Sequence, residues 1–171
     1  MENEILFTEK QRFSQWWLWI ILAGTSGLLL YAVFTQVIGG HPFGDKPASD
    51  AGLLIVTGLV LLLTYSFVFL LRLETEIKKD GIYVRFFPFQ WSFRYYEWDK
   101  LSKSYIRQYN PILEYGGWGF RMGVYGKGRA LNVSGNKGLQ LVFTDDKKLL
   151  IGTNKPEEMT ETLVKLRQLK S

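Results

Sequence analysis

Two stretches decide the fold of this chain: WWLWIILAGTSGLLLYAVFTQVI at residues 16–38 and AGLLIVTGLVLLLTYSFVFLL at residues 51–71. Neither stretch contains Asp, Glu, Lys, Arg or His. Because a helix rises about 1.5 Å per residue, each reaches roughly 30 Å, the thickness of a bilayer's hydrocarbon core. A chain this short cannot cover two such helices on every face. We therefore expect both to span a membrane rather than to lie in a soluble core.

The charges around these stretches predict their orientation. Basic residues flank the outer ends of the pair, whereas the connecting loop carries only Lys46. By the positive-inside rule, the loop then lies outside the cell and both termini are cytoplasmic. The predicted organisation is a cytoplasmic segment 1–15, transmembrane helices 16–38 and 51–71 joined by the extracytoplasmic loop 39–50, and a cytoplasmic domain 72–171. This describes a multi-pass protein of the cell membrane.

Aromatic and basic side chains at the start of the first stretch predict membrane-interface anchors. Indole rings prefer the headgroup layer of a bilayer, and arginine pairs with its phosphates. An aromatic cage for a cationic ligand would need facing rings, but neighbouring positions of a helix point in different directions. The predicted anchors are Trp16, Trp17, Trp19, Arg12 and Arg72.

The interior of the two stretches argues against transport. A transporter or proton channel is expected to carry an ionisable side chain within the membrane, and neither stretch has one. The small residues Ala23, Gly24, Ser26 and Gly27 predict a close helix contact, either within the hairpin or between hairpins of an oligomer. The two stretches are thus interpreted as an anchor rather than a conduit.

Short alternating segments rich in Tyr, Phe, Val, Ile and Trp follow residue 72 and predict strands. Asp80-Gly81 is a strong signal for a tight turn between the first two. We predict strands at residues 73–79, 81–87, 91–96, 102–109, 120–125, 129–134, 140–143 and 149–153. An N-cap at Asn154 then predicts a helix whose stripe of Met159, Leu163, Leu166 and Leu169 covers the open end of the sheet. The expected class is α+β, an antiparallel sandwich or small barrel behind a helical hairpin.

About seven strands capped by one helix is the architecture of the pleckstrin-homology (PH) superfold, and several motifs strengthen that resemblance. The sequence resembles the bacterial PH-like domains fused to membrane hairpins over residues 73–169. The resemblance implies a PH fold and a tendency to self-associate, but no particular activity. The motifs that carry it are EYGGWGFR at 114–121, ALNVSG at 130–135, GLQLVF at 138–143, LIGT at 150–153 and PEE at 156–158.

The run Gly116-Gly-Trp-Gly-Phe-Arg121 has two interpretations. Its glycines permit backbone angles closed to other residues, so it is explained as a turn held by a buried Trp118. Alternatively, the loop presents Trp118 and Arg121 to a lipid headgroup or a protein partner. The structural interpretation is favoured, because conformational demand explains the glycines without a ligand.

Enzyme templates find no match. The chain has no cysteine and one histidine, His41, which falls in the predicted outer loop. Neither a histidine-based triad nor a histidine or thiolate metal site is therefore expected in the domain. Adjacent carboxylates such as Asp145 and Asp146 fit turns and helix starts better than acid–base pairs. We predict no catalytic residue, metal or cofactor.

Two binding hypotheses remain. The first is a membrane-anchored adaptor or scaffold whose sheet holds a protein partner or another copy of itself, for instance by adding a strand at an exposed edge. The second is recognition of anionic lipid by basic residues, which outnumber acidic ones 18 to 11 from residue 72 onward. Nucleic-acid binding is not expected, because the aromatic residues look like core. The candidate binding residues are Arg85, Arg94, Lys103, Arg107, Trp118, Arg121, Lys127 and Arg129.

Overall fold

A computed structural model describes residues 4–123 and 126–170 and divides the chain into two units. Residues 14–70 form the helical unit. Residues 1–13 and 71–171 together form the β unit. The β unit is therefore built from both ends of the chain, and the helical unit is an insertion between two of its segments.

The helical unit contains the two apolar helices. Helix α1 spans Trp16–Val33 and continues through a π-helical turn at Phe34–Ile38, and helix α2 spans Asp50–Leu70. Gln36 closes the loop between them, because its side-chain amide donates to the Ala48 carbonyl at 2.7 Å and to Asp50 Oδ1 at 2.9 Å. The loop between the helices is thus closed by hydrogen bonds of one side chain.

Both helices are long and apolar enough to cross a membrane, as the sequence predicts. Only 11% and 6% of the residues in their most apolar windows are buried, whereas the core helix of a soluble protein is mostly buried. The Ser26 and Tyr65 hydroxyls approach to 3.0 Å between the helices. A Cβ atom at Gly24 or Gly27 would meet nothing within 4 Å, so these glycines serve no close approach within this helix pair.

The first sheet of the β unit has four antiparallel strands in the order β1-β2-β3-β4. Their bounds are Ile5–Arg12 for β1, Arg72–Lys78 for β2, Gly81–Phe87 for β3 and Arg94–Glu97 for β4. The sequence predicts no strand in the terminal segment 1–15. Instead, β1 pairs with β2 along its length, from Ile5 opposite Lys78 to Arg12 opposite Arg72.

The second sheet has five strands in the order β5-β8-β9-β7-β6. Their bounds are Leu101–Gln108 for β5, Gly119–Met122 for β6, Arg129–Asn132 for β7, Lys137–Phe143 for β8 and Lys148–Gly152 for β9. The sheet is mixed rather than wholly antiparallel. The chain reverses from β7 to β8 and again from β8 to β9, so β9 lies parallel to β7. Residues 124–125 of the predicted strand 120–125 lie outside the described residues.

Two helices complete the β unit. The short helix α3 spans Pro111–Tyr115, and the C-terminal helix α4 spans Pro156–Lys165 and packs against β1, β5 and β8. Met159 and Leu163 of the predicted stripe are fully buried, but the helix ends before Leu169, which is 43% exposed. Beyond the helix, Lys170 forms backbone hydrogen bonds with Ser104 as an isolated β-bridge.

The start of α4 also differs from the prediction. Lys155 occupies the N-cap, and the Asn154 side chain bonds to Ser134 instead. The main core lies among both sheets and α4. Its fully buried members include Phe7, Leu73, Ile77, Phe86, Leu139, Leu141, Ile151, Met159 and Leu163.

Candidate functional site

Arg85, the first candidate binding residue, forms an ion pair inside the first sheet. Strand register places it opposite Glu74, and its Nε donates to Glu74 Oε2 at 2.7 Å. Its Nη1 donates to the Trp91 carbonyl at 3.3 Å, and its guanidinium carbon lies 4.6 Å from the Phe93 ring centre. Since every part of the group has a partner, little of Arg85 is left for an external anion.

Glu74 is the acidic centre of this cluster. Lys10 Nζ lies 3.3 Å and Arg72 Nε 3.1 Å from its Oε1. Burial alone would raise the pKa of Glu74, but hydrogen bonds from Arg85 and Lys10 and the charges of Arg85 and Arg72 together lower it. The carboxylate thus stays ionised and joins three strands.

Arg107 is held in the second sheet in the same way. Its Nε donates to Gln140 Oε1 at 3.0 Å, and its two Nη atoms contact both oxygens of Glu114 at 3.2 and 2.8 Å. Nη2 also donates to the Tyr115 hydroxyl at 3.2 Å, and Nη1 to the Gln108 carbonyl at 3.3 Å. All of its donor directions are therefore used within the protein.

Glu114, on α3, has two further partners besides Arg107. The Asn110 backbone donates to its Oε1 at 2.9 Å, and Lys127 Nζ lies 3.7 Å from its Oε2. The hydrogen bond from Arg107 is the largest of the effects that lower the pKa of Glu114. Lys127 is consequently shared between this carboxylate and solvent, its side chain being 49% exposed.

The glycine-rich loop after α3 is fixed by internal contacts. Gly117 and Gly119 have φ angles of 123° and 125°, which side-chain-bearing residues rarely adopt. Between them, Trp118 Nε1 donates to the Gly135 carbonyl at 3.0 Å, and Arg121 Nε donates to the Trp118 carbonyl at 3.0 Å. These contacts account for the loop's conformation without a ligand.

Asn132 ties the same loop to the core. Its Oδ1 accepts from the Gly119 backbone at 2.9 Å, and its Nδ2 donates to the Tyr109 hydroxyl at 3.0 Å. Burial raises the pKa of Tyr109 to about 12, so this hydroxyl is neutral at physiological pH. A neutral, buried amide–phenol pair is a structural device rather than a reactive one.

The other candidate cations are exposed: Arg94, Lys103, Arg121 and Arg129. Burial raises the pKa of Tyr96, and the charges of Arg94 and Arg129, which lie on different sheets, both act against that rise. Of the predicted basic set, these four therefore keep exposed charges, whereas Arg85 and Arg107 are paired internally.

The predicted interface anchors lie in two places. Trp16, Trp17 and Trp19 are 74%, 38% and 41% exposed at the start of α1. Arg12 and Arg72 face each other as the terminal pair of β1 and β2 in the β unit. These two arginines mark the positions at which the chain leaves the first sheet and returns to it.

Two exposed apolar features were missed at the sequence level. Edge strand β6 shows Met122 at 70% and Phe120 at 38% exposure. The β3–β4 connection, part of which was predicted as strand, exposes Trp91 at 78% and Phe89 at 59%. Aromatic residues near a strand pattern predict core, so nothing in their local sequence marks them as surface.

Within the described residues no group of three or more His, Asp or Glu is placed to hold a metal ion. Comparisons with protein-family models, with curated proteins and with solved structures found no significant match.

Proposed function

We propose that this chain is a non-enzymatic, membrane-anchored module that holds a protein partner or a second copy of itself at the inner face of the cell membrane. Its two apolar helices are the anchor and its β unit, a PH-like domain, is the binding part. The strand edge at β6 receives an extended segment of the bound polypeptide. No residue of the chain is assigned a catalytic role.

The pairing of β1 with β2 supports the proposed arrangement in the membrane. Arg12 precedes the first apolar helix, Arg72 follows the second, and the two are strand partners. Two crossings return the chain to the side from which it started, which such pairing requires. The flanking basic residues make that side the cytoplasm by the positive-inside rule.

The single observation that carries the binding proposal is the open edge of β6. Within the described part of the chain, β6 has a strand partner only on its β7 side. An unpaired strand edge presents backbone donors and acceptors that an extended peptide can use, and exposed side chains beside it add specificity. Phe120 and Met122 supply those apolar side chains.

The other three edges are less suited to pairing. Residues 152–154 bond to side chains of β1, and Lys170 bonds to the backbone of β5. Strand β4 is an edge too, but two of its four residues, Arg94 and Glu97, are charged, whereas Arg121 is the one charged residue of β6. Charged side chains on an edge disfavour addition of another strand.

Photo-crosslinking tests this proposal in native membranes. A photoreactive phenylalanine analogue at position 122 of the full chain is expected to form a crosslink to a polypeptide. The same analogue at Leu113, which is 74% exposed on α3, is the matched control and is expected to form none. Equal crosslinking at both positions, or none at 122, argues against the β6 edge as the binding site. A crosslinked dimer identifies self-assembly, and any other mass identifies a partner.

Anionic-lipid binding is the second candidate, favoured by the exposure of Arg94, Lys103, Arg121 and Arg129. The ion pairs of Arg85 and Arg107 remove two of the predicted cations from it. Native mass spectrometry of the full chain from mixed phosphatidylcholine and phosphatidylglycerol nanodiscs provides the test. If the site exists, Arg94→Gln with Arg129→Gln reduces retained phosphatidylglycerol, whereas the control Lys147→Gln does not.

A further inference from the structure

The connection between β3 and β4 is an aromatic loop, FPFQWSF at residues 87–93, without a charged residue. Trp91 is 78% exposed and Phe89 is 59% exposed. Large apolar side chains in an exposed loop cost solvation free energy unless another phase covers them. Their exposure therefore indicates a surface that meets something other than water.

The position of this aromatic loop within the first sheet indicates what covers it. Phe87, the last residue of β3, is the strand partner of Arg72, which is in turn the partner of Arg12. These three residues share one end of the sheet. At that end the chain leaves for α1, which begins at Trp16, and returns from α2, which ends at Leu70. The aromatic loop thus lies where both short connections to the apolar helices begin.

The loop is held in its conformation rather than merely left exposed. Gln90 is buried, and its backbone donates to the Phe86 carbonyl at 2.9 Å while its Oε1 accepts from the Phe86 backbone at 3.1 Å. With Gln90 turned inward, its neighbours Phe89 and Trp91 are exposed. The ring centres of Trp91 and Phe87 lie 5.3 Å apart, edge to face. Little conformational entropy is left to lose when the loop is covered.

The residues around the aromatic loop favour a lipid surface over water. Arg72 and Arg85, whose charges are paired with Glu74, lie over the rings of Phe87 and Phe93, at 4.7 and 4.6 Å from the ring centres. Arg94 directly follows the loop and is exposed. Exposed Trp and Phe flanked by arginine is the chemistry that favours the headgroup layer of a bilayer.

From this placement we infer that the aromatic loop inserts Phe89 and Trp91 into the headgroup layer of the bilayer that the helices cross. The loop is then a third contact of the chain with the membrane, and it fixes the orientation of the β unit as well as its position. This inference rests on the proposed membrane anchorage. Its argument does not use the β6 edge, although the Phe89 ring lies 6.5 Å from the Phe120 ring of that strand.

Site-directed fluorescence tests the inference, because the chain has no cysteine to be removed. Single substitutions Ser92→Cys in the aromatic loop, Leu63→Cys in α2 and Lys79→Cys at the far end of the β2–β3 hairpin receive an environment-sensitive dye. The full chain is reconstituted in vesicles of phosphatidylcholine and phosphatidylglycerol with nitroxide on either the headgroup or the acyl chain. Position 63 reports anchorage, and position 79 is the matched exposed control.

The inference predicts several-fold stronger quenching at position 92 than at 79 by the headgroup nitroxide, and quenching at 63 by the acyl-chain nitroxide. Adding Trp91→Asp to the Ser92→Cys chain should abolish the loop signal. Quenching at 63 with none at 92 overturns the loop inference and leaves the anchorage intact. No quenching at 63 overturns both. A shift at 92 that grows with protein-to-lipid ratio but resists nitroxide indicates a second copy as the occupant and also overturns the inference.

Discussion

Two strand edges of the β unit differ in how their polar groups and side chains are satisfied. On the β1 edge, the Gln11 side chain donates to the Gly152 carbonyl at 2.7 Å, and Glu9 accepts from Thr153 Oγ1 at 2.6 Å and from the Asn154 backbone at 2.8 Å. The β6 edge has exposed side chains and, in the described residues, no second strand. The first edge thus contributes to stability, and the second is the edge that we propose for binding.

The difference teaches that position in a sheet does not by itself make an edge a binding surface. Glu9 and Gln11 of β1 face inward and bond to residues 152–154, so they stabilise the contact of β1 with the end of β9. On β6, by contrast, Phe120 and Met122 are exposed apolar side chains. Substitutions on either strand test this difference.

The largest effect is expected from Phe7→Ala on β1. Phe7 is 2% exposed and belongs to the main core, so removing its ring leaves a cavity that costs about 3–5 kcal/mol of unfolding free energy. The control Ile5→Ala, on the same strand but 49% exposed, should change little. Denaturant unfolding of the full chain in detergent, followed by near-UV circular dichroism, measures both. Equal effects would show that β1 does not pack as described.

Glu9→Ala is expected to have the next largest effect. It leaves the Thr153 hydroxyl and the Asn154 amide without their acceptor, and a buried unpaired donor costs about 1–3 kcal/mol. Glu4→Ala is the control, because Glu4 pairs with Lys79 where both side chains are about two-thirds exposed. Hydrogen exchange of the Asn154 amide gives the readout, and it should accelerate only in Glu9→Ala. Unchanged protection would contradict the contact.

Lowering the pH is expected to destabilise both sheets of the β unit. The pKa values of Glu74 and Glu114 are lowered in the folded chain from the usual 4.5, so folding favours their ionised forms. Their contribution is fully present above pH 4.5 and is lost as the pH falls through the folded values. Unfolding midpoints should therefore decline below that pH, and less steeply in Glu114→Gln. Identical pH profiles for the two proteins would refute the assignment.

Met122→Lys on β6 should have the smallest effect on stability, within about 0.5 kcal/mol, because an exposed side chain away from special contacts matters little to folding. Binding should respond strongly, because a lysine on a strand edge opposes strand addition. Co-purification of the crosslinked species identified at position 122 is the measure, with Leu113→Lys as the charge-matched control. Retained binding in Met122→Lys would place the interface elsewhere.

Sequence periodicity predicted much of the fold, and the failures have physical causes. Strands β2 and β3 alternate buried residues with partly exposed ones, and β8 and β9 are short apolar runs, so their positions were predictable. Strand β1 was not, because its inward positions after Phe7 are Glu9 and Gln11, both buried against polar groups distant in sequence. The sequence alone does not distinguish a buried glutamate from an exposed one.

The candidate site was less predictable, because the sequence does not show which basic side chains form ion pairs inside the protein. Arg85 and Arg107 look equivalent to Arg94 in the sequence, but strand register places Glu74 opposite Arg85, and helix α3 places Glu114 against Arg107. The edge at β6 depends on the order of strands in the sheet, and that order has no local signal. Of the candidate site, only the turn at residues 116–119 could be predicted from the sequence.

The pairing of β1 with β2 also has a consequence during synthesis. Strand β1 leaves the ribosome first, but its partner is made only after both apolar helices. In the proposed membrane arrangement, a helix that failed to insert would leave the two strands on opposite sides of the bilayer and the cleft that Phe7 occupies empty. Completion of the first sheet would thus depend on insertion of both helices.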